Sequence, residues 1–212
     1  MPELNQGDLR VRLDAGLAGM SLELPTPACE RLITYLVLLT RWNQAYNLSA
    51  IRDPREMVTR HLLDSLSVLP YAASGSLLDV GSGAGLPGLP LAIAGGERVV
   101  TLLDSNGKKV RFLRQAVMEL GLRQCRAVQA RADAAVGRYE QVIARAFTDL
   151  AGFWRAASPR LAAGGRALAL KGRYPDAELS ELTAMGVSWQ VFPLAIPGLE
   201  AERHLVALSA GG

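Results

Sequence analysis

One short stretch of the chain concentrates an acid and several glycines. In "LLDVGSGAGLPGLPLAIA" (77–94) an apolar run ends in Asp79, and Gly81, Gly83, Gly85 and Gly88 follow closely. Where a strand hands over to a helix, glycines let the backbone approach a small ligand, because they carry no Cβ. Three ligand classes compete for such a turn. A triphosphate loop needs Lys followed by Ser or Thr after its last glycine; Leu89 and Pro90 stand there instead, which excludes it. A dinucleotide fingerprint can be drawn through Gly83, Gly85 and Gly88. Its first glycine should follow the strand directly, yet Gly81 and Ser82 intervene, and an ionised Asp79 would repel a pyrophosphate. S-adenosylmethionine has no phosphate and carries an ammonium and a sulfonium. Asp79 beside Gly81, Ser82, Gly83 and Gly85 suits that cation. Asp104, about 20 residues on, can take both hydroxyls of a ribose, a device shared with nicotinamide enzymes. Asp79 with the shifted glycines favours the methyl donor.

A second set of groups bears on the acceptor. Arg145 and Lys171 close two successive predicted strands, at the carboxyl ends where open α/β sheets bind ligands. Such cations can hold a phosphate or the all-acceptor O6/N7 edge of guanine. The surrounding "IARAFTDL" lacks the proline-rich tip of adenine amino-methylases. Cys29 and Cys125 are too far from it to act as a cytosine nucleophile, and neither has metal-ligand spacing. A hydrolase built on Ser65 or Ser82 with His61 has no G-x-S-x-G elbow. His61 and Asp64 share a helix face, and His61 and His204 are expected to be structural. Trp42, Asn43 and Asn47 form either a helix-end packing cluster or an RNA-facing rim.

The elements that carry these groups follow from periodicity. The first 70 residues read as helical. Leu32, Tyr35, Leu36, Leu39 and Trp42 recur at three- and four-residue steps, and Asp53–Pro54 starts a shorter helix over 53–71. From residue 76 strand and helix alternate: strands at 76–80, 98–104, 126–130, 141–145 and 166–172, then "VSWQVF" and "RHLVALS". A helix over 105–122 stops at Gly121. Another, over 148–165, is expected to end at the paired glycines Gly164–Gly165. Alternation of this kind predicts a mostly parallel, doubly wound seven-stranded sheet. The last connection is a Pro/Gly loop without a helix, so the final strand should run antiparallel. The expected organisation is a helical N-terminal extension (1–70) followed by a ligand-binding α/β domain (71–212).

Composition sets the outer limits. With 212 residues the chain can bury one substantial core. No apolar run approaches the roughly 20 residues of a membrane span, and charges near the N-terminus argue against an export signal. A cytoplasmic protein without a bound metal is expected. The net charge of +3 permits a nucleic-acid partner without requiring one. Lys108, Lys109, Arg111 and Arg114, then Arg123, Arg126 and Arg131, are the candidate contacts, although each taken singly reads better as a solvated charge.

Taken together, "WNQAYNLSAI" (42–51), "RHLLDSL" (60–66), "DVGSGAGLPGLPLAI" (79–93), "LLDSNGKKVRFL" (102–113), "ARAF" (144–147) and "ALALKG" (167–172) resemble the bacterial glucose-inhibited division protein B family. The resemblance runs from about residue 30 to the C-terminus. It implies a Rossmann-like class I methyltransferase that transfers methyl from S-adenosylmethionine to a guanine N7 of 16S ribosomal RNA. The partner is then the small ribosomal subunit or its RNA, and the acting unit is expected to be a monomer. It further implies cofactor contacts at Gly81 and Leu86, at Ala132 and Asp133, and at Arg145. Leu86 stands where the family often has phenylalanine, and "RADA" (131–134) leaves Asp133 as the lone acid of that segment. Guanine N7 has an in-plane lone pair and no proton to lose, so a site without an evident base suffices. Arg145 and Lys171 would then hold the acceptor and take no proton.

Overall fold

The computed structural model describes residues 5–72 and 75–211. Helix α1 (Gln6–Gly19) is capped by the Asn5 side chain, which accepts from the Asp8 amide. Helix α2 (Thr26–Tyr46) buries Leu32, Tyr35, Leu36 and Leu39, the stripe expected from the sequence. Half-buried Trp42 packs between Tyr46 and Phe112, with ring centroids 4.9 and 5.7 Å away. Asn47 ends the helix in the left-handed region, at φ 49°, which asparagine tolerates better than most side chains.

Asp53 caps the next segment as expected, accepting from the Arg55 amide at 2.9 Å, with Pro54 in the first turn. The segment is not one regular helix. It runs as α3 (Pro54–Met57), a π-turn (Val58–Leu63) and α4 (Asp64–Leu66). The π-turn buries Val58, Leu62 and Leu63, and such turns concentrate at functional sites.

The sheet has seven strands: β1 (Leu77–Val80), β2 (Val100–Asp104), β3 (Cys125–Gln129), β4 (Tyr139–Arg145), β5 (Leu161–Lys171), β6 (Val187–Pro193) and β7 (His204–Ala210). Their order is β3-β2-β1-β4-β5-β7-β6. β1 to β5 pair in parallel, and β7 runs antiparallel to both neighbours, as anticipated. Helices α5 (Gly88–Ala94), α6 (Gly107–Glu119), α7 (Leu150–Ala157) and α8 (Asp176–Ala184) cover the faces. The strand order reverses at β1, which pairs with both β2 and β4, and this switch point opens the crevice where such sheets take ligands.

One boundary differs from expectation. The helix before β5 does not reach the paired glycines; α7 ends at Ala157, and the chain is extended from Leu161 onward. Pro159, which lacks an amide hydrogen, lies in a short 3-10 turn after the helix. Gly164, at φ 73°, instead lies in an irregular stretch of β5: Tyr139 pairs with Leu161, but Gln141 pairs with Arg166.

Alternation in β1 builds the two cores. Leu77 joins the cluster containing Leu32, Leu36, Leu89 and Leu113, whereas Leu78 and Val80 join the cluster with Phe153 and Leu182. The N-terminal helices thus share a continuous apolar core with one face of the sheet. Among the described residues no helix is long and apolar enough to cross a membrane.

Candidate functional site

The glycines after β1 divide by what surrounds them. Gly81 and Gly83 sit at φ 72° and 58°, and a Cβ at Gly81 would meet nothing within 4 Å. At Gly88 a Cβ would run into the Leu102 and Asp79 side chains. The first pair therefore forms an open cradle, and Gly88 is a packing requirement. Tyr35 of α2 anchors the turn from below: its buried hydroxyl donates to the Ala84 carbonyl at 2.8 Å.

A cavity of about 540 Å³ opens beside the cradle, lined by Gly81, Asp104, Lys109, Ala132, Asp133 and Phe147 among others. Four of the expected ligand contacts, Gly81, Asp104, Ala132 and Asp133, are thus brought together by the ends of β1, β2 and β3. Asp104 is nearly buried, and its Oδ2 accepts from the Gly83 amide at 2.9 Å while Oδ1 accepts from Asn106 at 2.8 Å. This carboxylate ties the tip of β2 to the glycine turn. Lys109 approaches it at 3.8 Å. Phe147 and Lys109 were not singled out as ligand contacts in the sequence; the first follows Arg145 closely and the second falls in "NGKK", next to the Asn106 cap.

Asp79, Ser82 and Leu86 lie beneath the cradle. Asp79 is fully buried; its Oδ2 accepts from the Gly88 amide at 2.9 Å, and its Oδ1 has no partner. Burial pushes its carboxyl up to about 7. Buried Ser82 donates to the Asp79 carbonyl, and Leu86 belongs to the apolar core. None of the three lines the cavity. Gly85 is at φ 91°, where a Cβ would strike Leu89. These four shape the turn that the cavity residues stand on.

The donor set decides what the cavity suits. Asp104 and Asp133 face it, Asp79 lies just below, and Lys109 and exposed Arg131 are the cations at its wall. Arg131 pairs with Asp133 at 3.6 Å. A pyrophosphate would meet carboxylates where it needs donors, whereas a phosphate-free nucleoside bearing positive charge finds a ribose acceptor in Asp104. The open cradle and the unpartnered buried oxygen of Asp79 fit such a group.

Arg145 leaves β4 on another side. Its Nη1 donates to Asp64 Oδ2 at 3.0 Å and to the Arg60 carbonyl at 3.2 Å, so it stands apart from the cavity. Ala146, at φ 62°, turns the chain sharply between Arg145 and Phe147. Lys171 is committed as well, donating to both oxygens of Glu178 at 2.9 and 2.7 Å. Glu178 Oε2 also accepts from the Leu150 amide at the start of α7. Neither ion pair was visible in the sequence.

His61 is buried, with Nδ1 3.0 Å from the Arg60 carbonyl and Nε2 2.7 Å from Ser49 Oγ. Burial, reinforced by the nearby Arg145 charge, holds its imidazole down at about 4, so it stays neutral. Asn43 is buried too, bonding Ser49 through both ends of its amide. Trp42 and Asn43 therefore form packing and loop-fixing contacts, while Asn47 is exposed. His204 Nδ1 donates to the Gly172 carbonyl at 3.0 Å, and the ring packs edge-on against Tyr174. Both cysteines are buried, and burial pushes Cys125 up to about 12.

Comparisons with known proteins agree with this architecture. Among solved structures, a glycopeptide N-methyltransferase, MtfA, in complex with S-adenosyl-L-methionine superposes with a TM-score of 0.63 at 17% identity, over 72% of this chain and 88% of that one. A SAM-dependent methyltransferase from Aquifex aeolicus gives 0.59 at 16% identity, over 80% and 97%. These likenesses establish a class I methyltransferase fold. Nearer relatives are the ribosomal RNA small subunit methyltransferases G of Alkalilimnicola ehrlichii, 54% identical over 93% of this chain and 91% of its own, and of Stenotrophomonas maltophilia, 53% identical over 93% of each. The model of the rRNA small subunit methyltransferase G family matches residues 28–206, and with that match and those identities the chain belongs to this family.

Proposed function

We propose that the protein transfers a methyl group from S-adenosylmethionine to N7 of a guanine in 16S ribosomal RNA. The observation that carries this reading is the open glycine cradle at Gly81 and Gly83 beside two cavity-lining carboxylates, Asp104 and Asp133. When bound, S-adenosylmethionine supplies an electrophilic methyl on its sulfonium. Asp104 takes the ribose hydroxyls, and the backbone at Gly81 borders the amino-acid end. Ala132 and Asp133 face the base. Asp79 acts from below, holding Gly88 and with it the turn that carries the cradle.

On the acceptor side no base is needed, because guanine N7 loses no proton. Positioning and exclusion of water supply the acceleration. Arg145 and Lys171 hold the acceptor through O6 or phosphate. Each is oriented by its carboxylate partner and keeps donor capacity: Nη1 alone of Arg145 is engaged among the described residues, and Lys171 Nζ retains one N–H beyond the two given to Glu178. The work is done in the cytoplasm, on the small subunit or its RNA, and by a monomer. Radiolabelled methyl transfer to naked 16S RNA, assembled subunits and a protein fraction tests this. Label recovered as 7-methylguanosine supports it, and label confined to protein or to another nucleoside refutes it.

A further inference from the structure

We propose that Asp64 is a positioning residue for the acceptor side of the site, fixing the Arg145 guanidinium and thereby making the N-terminal helices part of the catalytic apparatus. The inference rests on the reading of Arg145 as an acceptor contact. Asp64 is 2% exposed. Its Oδ2 accepts from Arg145 Nη1 at 3.0 Å, and its Oδ1 accepts from Arg203 Nε at 2.9 Å. One carboxylate thus bridges two guanidiniums, one arriving from the end of β4 and one from the residue before β7.

The π-turn supplies a second anchor. Arg145 Nη1 also donates to the Arg60 carbonyl at 3.2 Å, and the same carbonyl lies 3.0 Å from His61 Nδ1. Nδ1 facing a carbonyl must carry the ring proton, so Nε2 accepts from Ser49 Oγ at 2.7 Å. Asn43 fixes Ser49 in turn, accepting from its amide at 2.8 Å and donating to its carbonyl at 2.9 Å. An unbroken series of hydrogen bonds therefore runs from α2, through the 47–51 loop and the π-turn, to Arg145.

Charge and geometry together argue for positioning. Two guanidiniums against one carboxylate leave a net positive charge at the mouth of the acceptor side. A charged acceptor and a carbonyl, both on Nη1, set the direction of the guanidinium. Its remaining N–H groups are then aimed at an incoming nucleotide. None of Asn43, Ser49, Arg60, His61, Asp64 or Arg203 lines the cofactor cavity. Loosening the series should therefore change methyl transfer without changing cofactor binding.

The test is Asp64→Asn, which keeps the shape and one acceptor but removes the charge. The expected result is a ten- to hundredfold fall in kcat, with the KM for RNA and the calorimetric affinity for S-adenosylmethionine within twofold of wild type. Should this variant fail to fold, Ser49→Ala gives the same split on a smaller scale, about threefold in kcat. Combining Asp64→Asn with Arg145→Lys completes a cycle. If Asp64 acts through Arg145, the double variant is no slower than the slower single one. Multiplied losses overturn the inference, as does a fall in cofactor affinity that matches the fall in kcat. Arg145→Lys with wild-type kcat would instead overturn the acceptor role of Arg145, and this inference with it.

Discussion

Two buried ionisable residues give the protein opposing pH dependences. Asp79 is pushed up to about 7 by burial, and His61 down to about 4. Between pH 4 and 6.5 native Asp79 keeps a proton that the unfolded chain has released. Its contribution is therefore full below pH 3.8 and lost as pH rises to 7. His61 does the reverse: the unfolded chain binds a proton that the native ring refuses, so its contribution is present above pH 6.5 and lost towards pH 4. Each slope is about 1.4 kcal/mol per pH unit, and over the shared window they offset each other. Asp79→Asn removes one of them; its unfolding free energy should climb between pH 4 and 6.5 more steeply than wild type, as urea titrations would show. An unchanged slope would contradict the burial argument. Lys171 offers a second residue-level test. Lys171→Ala should lower kcat roughly tenfold or more while sparing cofactor affinity. Glu178→Gln separates pairing from contact, because it keeps the cation and should retain more activity. Equal losses in the two variants would make Lys171 a structural partner of Glu178 only.

Among elements, the glycine turn and α2 behave as one unit. Gly81→Ala adds a methyl into the open cradle at a positive φ, costing about 1 kcal/mol of stability but a larger share of cofactor affinity, readable by calorimetry. Gly88→Ala should do the opposite, because its methyl collides with Leu102 and Asp79; overpacking of this kind costs about 1–3 kcal/mol. A thermal-melt series that ranks the two the other way would refute the division. Tyr35→Phe strands the Ala84 carbonyl and should cost about 1–2 kcal/mol, and no loss would mean that α2 does not anchor the turn. Strand and helix alternation was legible in the sequence because apolar runs, caps such as Asp53 and stops such as Gly121 act locally. The end of α7 was misjudged because glycine pairs mark a bulge as readily as a helix stop, and only strand pairing tells them apart. The π-turn was hidden because its apolar residues still face the core.

For the whole molecule, the helices of the first 70 residues and the sheet share one core, from Leu9 through Leu205. That Gly81 and Asp104 would meet was legible, since they stand at the tips of successive strands. The ion pairs of Asp64 were not: Arg145 lies 81 positions from it and Arg203 lies 139 away. Only the folded chain brings such groups together, and their pairing ties the N-terminal helices to the end of β4 and the start of β7. RNA binding at this mildly basic surface should weaken as salt rises. The central claim, methylation at a guanine N7 of 16S RNA, is tested most directly in cells. Chemical cleavage at 7-methylguanosine, read by reverse transcription, should give a stop in 16S RNA that vanishes when the gene is deleted and returns with the wild-type gene. A stop pattern unchanged by the deletion would contradict it.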